Sequence, residues 1–215
     1  MNLEQLERKV HQSVRRDDLQ GDYPEYINEA LDEVQRRWDW ADTEQATELT
    51  LLSGESEVRL PDDFKNLLSR HTSPIMVRNT DTTSGVNYFP ADIRSEAEIR
   101  RLNSKNSGFS SGSNMPIWIS NEDGVSFIKI DATAGEDINF RVRYYAKLPP
   151  LENPKAENAL TRAYPRMIYA YARALAFETV NDPAQQIHET KFEMEYKRNK
   201  GSDTDKRYRG RSLRM

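Results

Sequence analysis

The chain has no cysteine and only three histidines among its 215 residues. That excludes disulfide staples, thiolate nucleophiles and cysteine-based zinc sites. His11, His71 and His188 fall in three different predicted elements, none with a second ligand three or four positions on, so no metal motif forms. Glycine is scarce as well, at nine residues. Neither a P-loop nor a GxGxxG fingerprint is present, and no nucleotide or other cofactor is expected. No apolar run approaches the roughly 18 residues that span a bilayer. Met1-Asn2-Leu3-Glu4-Gln5 lacks the basic-then-apolar pattern of a signal peptide. The expectation is a protein made and kept in a cytosol, without a membrane partner.

Hydrophobic residues make up 36% and charged residues 31% of the chain, a balance that suits a heavily solvated or partner-covered protein better than a compact enzyme. A chain of this length buries roughly 70% of its unfolded surface, enough for a true core. The net charge of −4 is unevenly spread: from Lys191 onward, nine Lys/Arg face four Asp/Glu, so that segment carries +5 and the rest −9. Such asymmetry marks an interaction tail, for nucleic acid or for an acidic protein surface. The last residues, Tyr208-Arg209-Gly210-Arg211-Ser212-Leu213-Arg214-Met215, follow Arg207 and concentrate the basic charge.

Leu3, Leu6, Val10 and Val14 recur at helical spacing and predict a helix over 2–16. A second helix follows, capped by Asp22, with Pro24 in its first turn and a stripe of Tyr23, Ile27, Ala30, Leu31, Val34 and Trp38 reaching residue 40. The two form an αα-hairpin. Strand-like runs come next, at Thr47–Leu52, Val58–Leu60, Ile75–Arg78 and Val86–Phe89. The clearest strand is Ile138–Leu148, whose alternation sets Phe140, Val142, Tyr144 and Ala146 on a core face and Arg141, Arg143 and Tyr145 on a wet one. It is expected to pair with Val125–Ile130, and that run with Ile117–Ser120, as a meander. Ser95–Asn103 reads as a short helix. Pro149-Pro150 ends the β region, the apolar Tyr164–Val180 reads as a central helix, and a last helix capped by Asp182 runs to about Lys200.

The fold class is therefore α+β: a helical bundle, made of an αα-hairpin and two C-terminal helices, with an inserted antiparallel β domain and an extended C-terminal tail. The boundaries are 1–42 with 152–202 for the helical domain, 43–151 for the β insertion and 203–215 for the tail. Ser104–Asn114 is a Ser/Gly/Asn loop too polar to order itself. Its centre, Ser107, Gly108, Phe109 and Ser110, is a possible partner contact.

No catalytic constellation emerges. Asp17-Asp18 and Asp62-Asp63 could supply acid/base carboxylates, but the first ends a helix and the second follows a proline where a short helix can start, so capping and solvation explain both. No serine lies in a GxSxG elbow. Nucleic-acid binding finds phosphate-neutralising side chains in Lys197, Arg198, Lys200, Lys206, Arg207, Arg209, Arg211 and Arg214 and stacking rings in Tyr196 and Tyr208. It is opposed by the acidic remainder and by the lack of a helix-turn-helix, zinc finger or RNP signature.

Four blocks in order, "LPDDF" (Leu60–Phe64), "RYYAKLPPL" (Arg143–Leu151), "NALTRAYPRMIYAYARAL" (Asn158–Leu175) and "YRGRSLRM", resemble the head–tail adaptor (connector) proteins of tailed bacteriophages, the group related to tail tubular protein A of short-tailed phages. The Ser104–Asn114 loop and the Asp81–Gly85 turn depart from that pattern. The resemblance implies a virion protein of the phage neck and no enzyme. It implies a ring, commonly of twelve copies, that docks under the portal protein, extends the channel through which double-stranded DNA passes without sequence-specific binding, and carries the tail tube or nozzle protein. Carried onto this chain, Arg207, Tyr208, Arg209, Arg211, Leu213, Arg214 and Met215 become the portal-docking tail. The arginines would pair with portal carboxylates, and Leu213 and Met215, which have no use on a phosphate backbone, would enter apolar pockets. The alternatives are a tail-associated polysaccharide or cell-wall hydrolase and a DNA-binding packaging factor.

Overall fold

The computed structural model describes residues 1–68, 73–78, 88–103, 115–131 and 133–212. The chain divides into two compact units, Met1–Thr43 with Lys147 onward, and Glu44–Ala146. Among the described residues it mixes helices with sheets whose strands pair antiparallel except at one short junction.

In the first unit, Leu3, Leu6, Val10 and Val14 form the buried stripe of α1 (Leu3–Val14). Asn2 starts this helix by accepting the Gln5 backbone N–H at 3.0 Å, and the Gln5 side chain accepts the Asn2 N–H at 3.2 Å. This reciprocal cap is worth about 1 kcal/mol. Arg15 ends the helix in the left-handed region, with φ 53°. A 3₁₀ turn over Asp17–Asp22 leads to α2 (Tyr23–Arg37), which buries Tyr23, Ile27, Ala30, Leu31 and Val34. Asp22 makes no side-chain cap, and the helix stops before Trp38, short of the expected residue 40. The reason is Trp40, whose indole N–H donates back to the Val34 carbonyl at 2.9 Å and so satisfies one of the acceptors a helix end leaves open.

The apolar stretch read as a helix over Tyr164–Val180 is one, and a short helix not foreseen from the sequence precedes it. Pro165 has no N–H to continue a helix, so α4 (Ala159–Ala163) closes first and Tyr164 makes the junction at φ −130°, ψ 43°. In α5 (Pro165–Thr179), Met167, Ile168, Ala170, Ala172, Ala174, Ala176 and Phe177 are buried. The alanines let α1, α2 and α6 (Ala184–Ser212) all pack against it. Before α6, the Asp182 side chain accepts the Ala184 N–H at 2.8 Å, the expected cap.

Two sequence readings change here. The last helix does not end near Lys200, and residues 203–212 are helical rather than extended. Leu213, Arg214 and Met215 lie outside the described residues.

The chain returns to the helical unit through the Pro149-Pro150 segment, which cannot supply its own ladder of hydrogen bonds. Two amides on α2 do so instead. Gln35 accepts the Leu148 N–H at 2.7 Å, and Asn28 accepts the Leu151 N–H at 2.7 Å while donating to the Leu151 carbonyl at 3.2 Å.

The described residues of the second unit form two sheets. In one, β9 (Ile138–Ala146) is central, with β1 (Glu44–Leu51) along one edge and β3 (Phe64–Leu67) and β4 (Ile75–Arg78) along the other; β5 (Tyr88–Pro90) pairs with β4. In the other, the order is β2 (Glu57–Arg59), β8 (Val125–Lys129), β7 (Pro116–Glu122) and β6 (Asp92–Ile93), the last pair parallel. Leu51, Leu60, Ile75, Ile117, Ile128, Phe140 and Val142 share one core. α3 (Glu96–Asn103) begins with a reciprocal Ser95–Glu98 box and buries Ile99.

The expected pairing of Ile138–Leu148 with Val125–Ile130 is overturned, because β8 and β9 belong to different sheets. Their connection instead bonds to the β1–β2 connection, with Gly54 N–H donating to the Ala134 carbonyl and Ala134 N–H to the Glu55 carbonyl, both at 2.7 Å. The two crossings run side by side and satisfy each other's backbone groups. Tyr145, expected on the wet face, is fully buried. Asp62 and Asp63 cap no helix but sit in the turn into β3, closed by Phe64 N–H on the Pro61 carbonyl. Asp17-Asp18, expected at a helix end, opens the 3₁₀ turn.

Candidate docking segment

The most basic part of the chain is α6, and its burial pattern follows from spacing. His188, Phe192, Tyr196 and Asp203 recur at three to four residues or their multiples and face inward. His188 stacks on Phe177 at 5.1 Å between ring centres, and Phe192 lies 4.7 Å from Tyr171. Arg37, at the end of α2, pairs with Glu33 and reaches Glu193 on α6, while its guanidinium lies over the Phe192 ring at 5.0 Å. Burial opposes ionisation of Glu33, but the hydrogen bonds from Arg36 and Arg37 prevail and hold its carboxyl below the usual range.

Beyond Gly201, where a periodic apolar stripe no longer runs, the helix is held by a carboxylate. Asp203 is fully buried. It accepts the Trp38 indole N–H at 3.0 Å, the Ala41 N–H at 2.9 Å and Arg207 Nε at 2.9 Å, with the Tyr164 hydroxyl oxygen 3.3 Å away. A buried carboxylate with this many donors, one of them charged, is compensated for leaving water. Asp42 repeats the scheme beside it, accepting the Tyr164 hydroxyl at 2.6 Å and Lys206 Nζ at 3.1 Å. Burial, with Asp42 and Asp203 on its hydroxyl, pushes the Tyr164 phenol well above its ordinary value. Lys200 Nζ sits 4.2 Å and the Arg207 guanidinium 5.1 Å from the centre of the Trp38 ring, adding cation–π attraction.

Arg207 thus belongs to the anchor of α6. Tyr208, Arg209 and Arg211 follow on the same helix. Leu213, Arg214 and Met215, like Ser107, Gly108, Phe109 and Ser110 of the loop, fall outside the described residues. Sequence reasoning missed Asp203. Its one local signal was the four-residue spacing to Arg207, whereas Trp38, Ala41 and Tyr164 lie far off in the chain.

The remaining candidates are dispersed. His11 Nε2 lies 3.7 Å from exposed Asp17, and Asp18 takes both Arg16 bonds at 2.8 and 2.9 Å. Asp62 pairs with Arg59, and Asp63 accepts the Tyr144 hydroxyl at 2.9 Å. Among the described residues no group of three His, Cys, Asp or Glu could hold a metal, and no helix is long and apolar enough to cross a membrane.

Residues 1–215 match the model of the SU10 adaptor protein family. The chain belongs to that family, a group of phage structural adaptors of the virion that connect with portal and tail components. No curated protein matches it.

Proposed function

We propose that this member of the SU10 adaptor family docks as a ring, of twelve copies, beneath the portal, extends the channel through which the DNA passes and attaches the tail tube or nozzle. Residues 208–215 make the portal contact. The observation that supports this reading most is the anchor on α6. Asp203 and Arg207 tie the helix down as far as the residue before the docking segment, so the segment starts from a fixed support. Fixing one end of a peptide lowers the entropy lost when the rest is ordered against a partner. Its arginines then pair with carboxylates and its Leu213 and Met215 enter apolar pockets, and repetition around the ring multiplies weak single contacts into avidity. The acidic remainder of the chain suits a conduit along which DNA slides without adhering.

The hydrolase and packaging-factor alternatives have less support. Asp62 and Asp63 serve Arg59 and Tyr144 separately, and Lys206 and Arg207 are engaged by carboxylates of the chain itself.

The test is capture of purified portal rings by the chain lacking residues 208–215, a deletion that keeps the Asp203–Arg207 pair. Portal capture is expected to fall at least tenfold while the thermal melt is unchanged. Undiminished capture would remove the docking role from this segment.

A further inference from the structure

The side of α6 opposite its buried residues carries Ile187, Lys191, Met194 and Arg198, spaced four, three and four apart and so aligned in one outward stripe. Ile187 is 57% and Met194 67% exposed, the two most exposed large hydrophobic residues among those described. Isolated exposed apolar residues need no explanation, but two aligned on one helix face between cations have the make-up of an interface. Lys191 and neighbouring Lys197 have no ion pair among the described residues, and Arg198 has only a 3.9 Å approach to Glu195.

A complementary stripe lies on α2. Asp22, just before the helix, and Glu25, Glu29 and Asp32 are exposed at spacings of three, four and three. None has an ion pair among the described residues, in contrast to Glu33, which serves Arg36 and Arg37. Four aligned, uncompensated acids repel one another along the helix, a cost that an opposing row of cations removes. The stripes also agree in length: the eleven steps from Ile187 to Arg198 span about 16 Å and the ten from Asp22 to Asp32 about 15 Å at a 1.5 Å rise.

We infer that the Ile187–Lys191–Met194–Arg198 face of α6 binds the Asp22–Glu25–Glu29–Asp32 face of α2 on a second copy of this chain. Met194 and Ile187 pack against the methylene stems of Glu25 and Glu29, with Lys191 and Arg198 on their carboxylates. Because the two faces differ, the contact is heterologous, and each copy gives α6 to one neighbour and α2 to the other. Repetition of such a contact closes a ring when the rotation between neighbours divides a full turn, the geometry that the ring reading requires. The inference rests on the ring reading above and names the surfaces that build it.

The absence of cysteine makes the test direct. Glu29→Cys and Met194→Cys copies carrying tags of different mass are co-assembled into phage particles and mildly oxidised, so that any mixed dimer joins two copies. The expected product is the mixed dimer. It is lost when the Met194→Cys copy also carries Lys191→Glu and Arg198→Glu, and regained when the Glu29→Cys copy carries Glu25→Lys and Asp32→Lys. Thermal melts of each variant check folding. Particles that contain both copies but give no mixed dimer, or give only Met194→Cys pairs, overturn the inference and leave the adaptor reading standing. Loss of salt-sensitive duplex binding by the α6 charge variant, without a mixed dimer, assigns the stripe to DNA and likewise overturns it. Absence of the unmodified chain from the particle neck overturns the adaptor reading and this inference with it.

Discussion

The indole N–H of Trp38 donates to Asp203 Oδ2 at 3.0 Å across 165 residues of chain. That bond, with those from Ala41 and Arg207, makes one buried carboxylate the fastening of the last helix.

Replacement of Asp203 by alanine strands buried donors and leaves the Arg207 guanidinium without its carboxylate. Breaking a buried pair from one side costs about 3–5 kcal/mol. Urea unfolding is expected to show a loss of that size, and limited proteolysis to cut first in the distal half of α6. A change under about 1 kcal/mol would mean that the fastening lies elsewhere.

Asn28→Ala removes both side-chain bonds to the Leu151 backbone and leaves a partly buried N–H and C=O unmet. The expected cost is about 1–3 kcal/mol. Hydrogen exchange at the Leu151 amide should speed up more than at Leu148, which Gln35 holds. Equal acceleration at both sites would contradict independent clamping.

His188 is buried, stacks on Phe177, and its Nδ1 has no hydrogen-bond partner among the described residues. Burial first, then the charges of Lys191 and Arg173, push its pKa below the ordinary value. In acid the unfolded chain therefore takes up a proton that the folded chain refuses, so stability is full above about pH 6.5 and falls as the pH drops below it. The melting temperature of the parent chain should decline more between pH 7 and 5 than that of His188→Phe. Parallel declines would show that other groups set the acid response.

The local elements were legible where periodicity is local. The Leu3–Val14 stripe, the Tyr23–Val34 stripe and the alternation through Phe140, Val142 and Tyr144 each appear at the burial they imply. Partnership between strands was legible for the neighbours Ile117–Ser120 and Val125–Ile130, which pair antiparallel as expected, but not for the partners of Ile138–Ala146. The β8–β9 connection looks like a hairpin turn, and only its bonds to Gly54 and Glu55 reveal a crossing between sheets. β3 and β6, of four and two residues, are too short for any period to register. The extra length of α6 was hidden for a related reason. Past Gly201-Ser202 the helix is held by a carboxylate rather than an apolar stripe, and the groups that bond it are more than 30 residues away in sequence. Of the candidate docking residues, spacing identified the basic run but gave no sign that Arg207 is spent inside the fold.

The division of the chain also has a consequence in time. The β unit, Glu44–Ala146, is one continuous stretch, whereas the helical unit begins before it and is completed after it. At roughly 5–20 residues per second of synthesis, about ten to thirty seconds separate the emergence of Trp38 from that of Asp203. During that interval α1 and α2 have neither α5 to cover their apolar stripes nor the carboxylate that fastens Trp38, while the β unit is free to finish. The nascent chain therefore carries a folded middle between unfinished ends, and the helical unit is completed only when synthesis has reached the last few dozen residues.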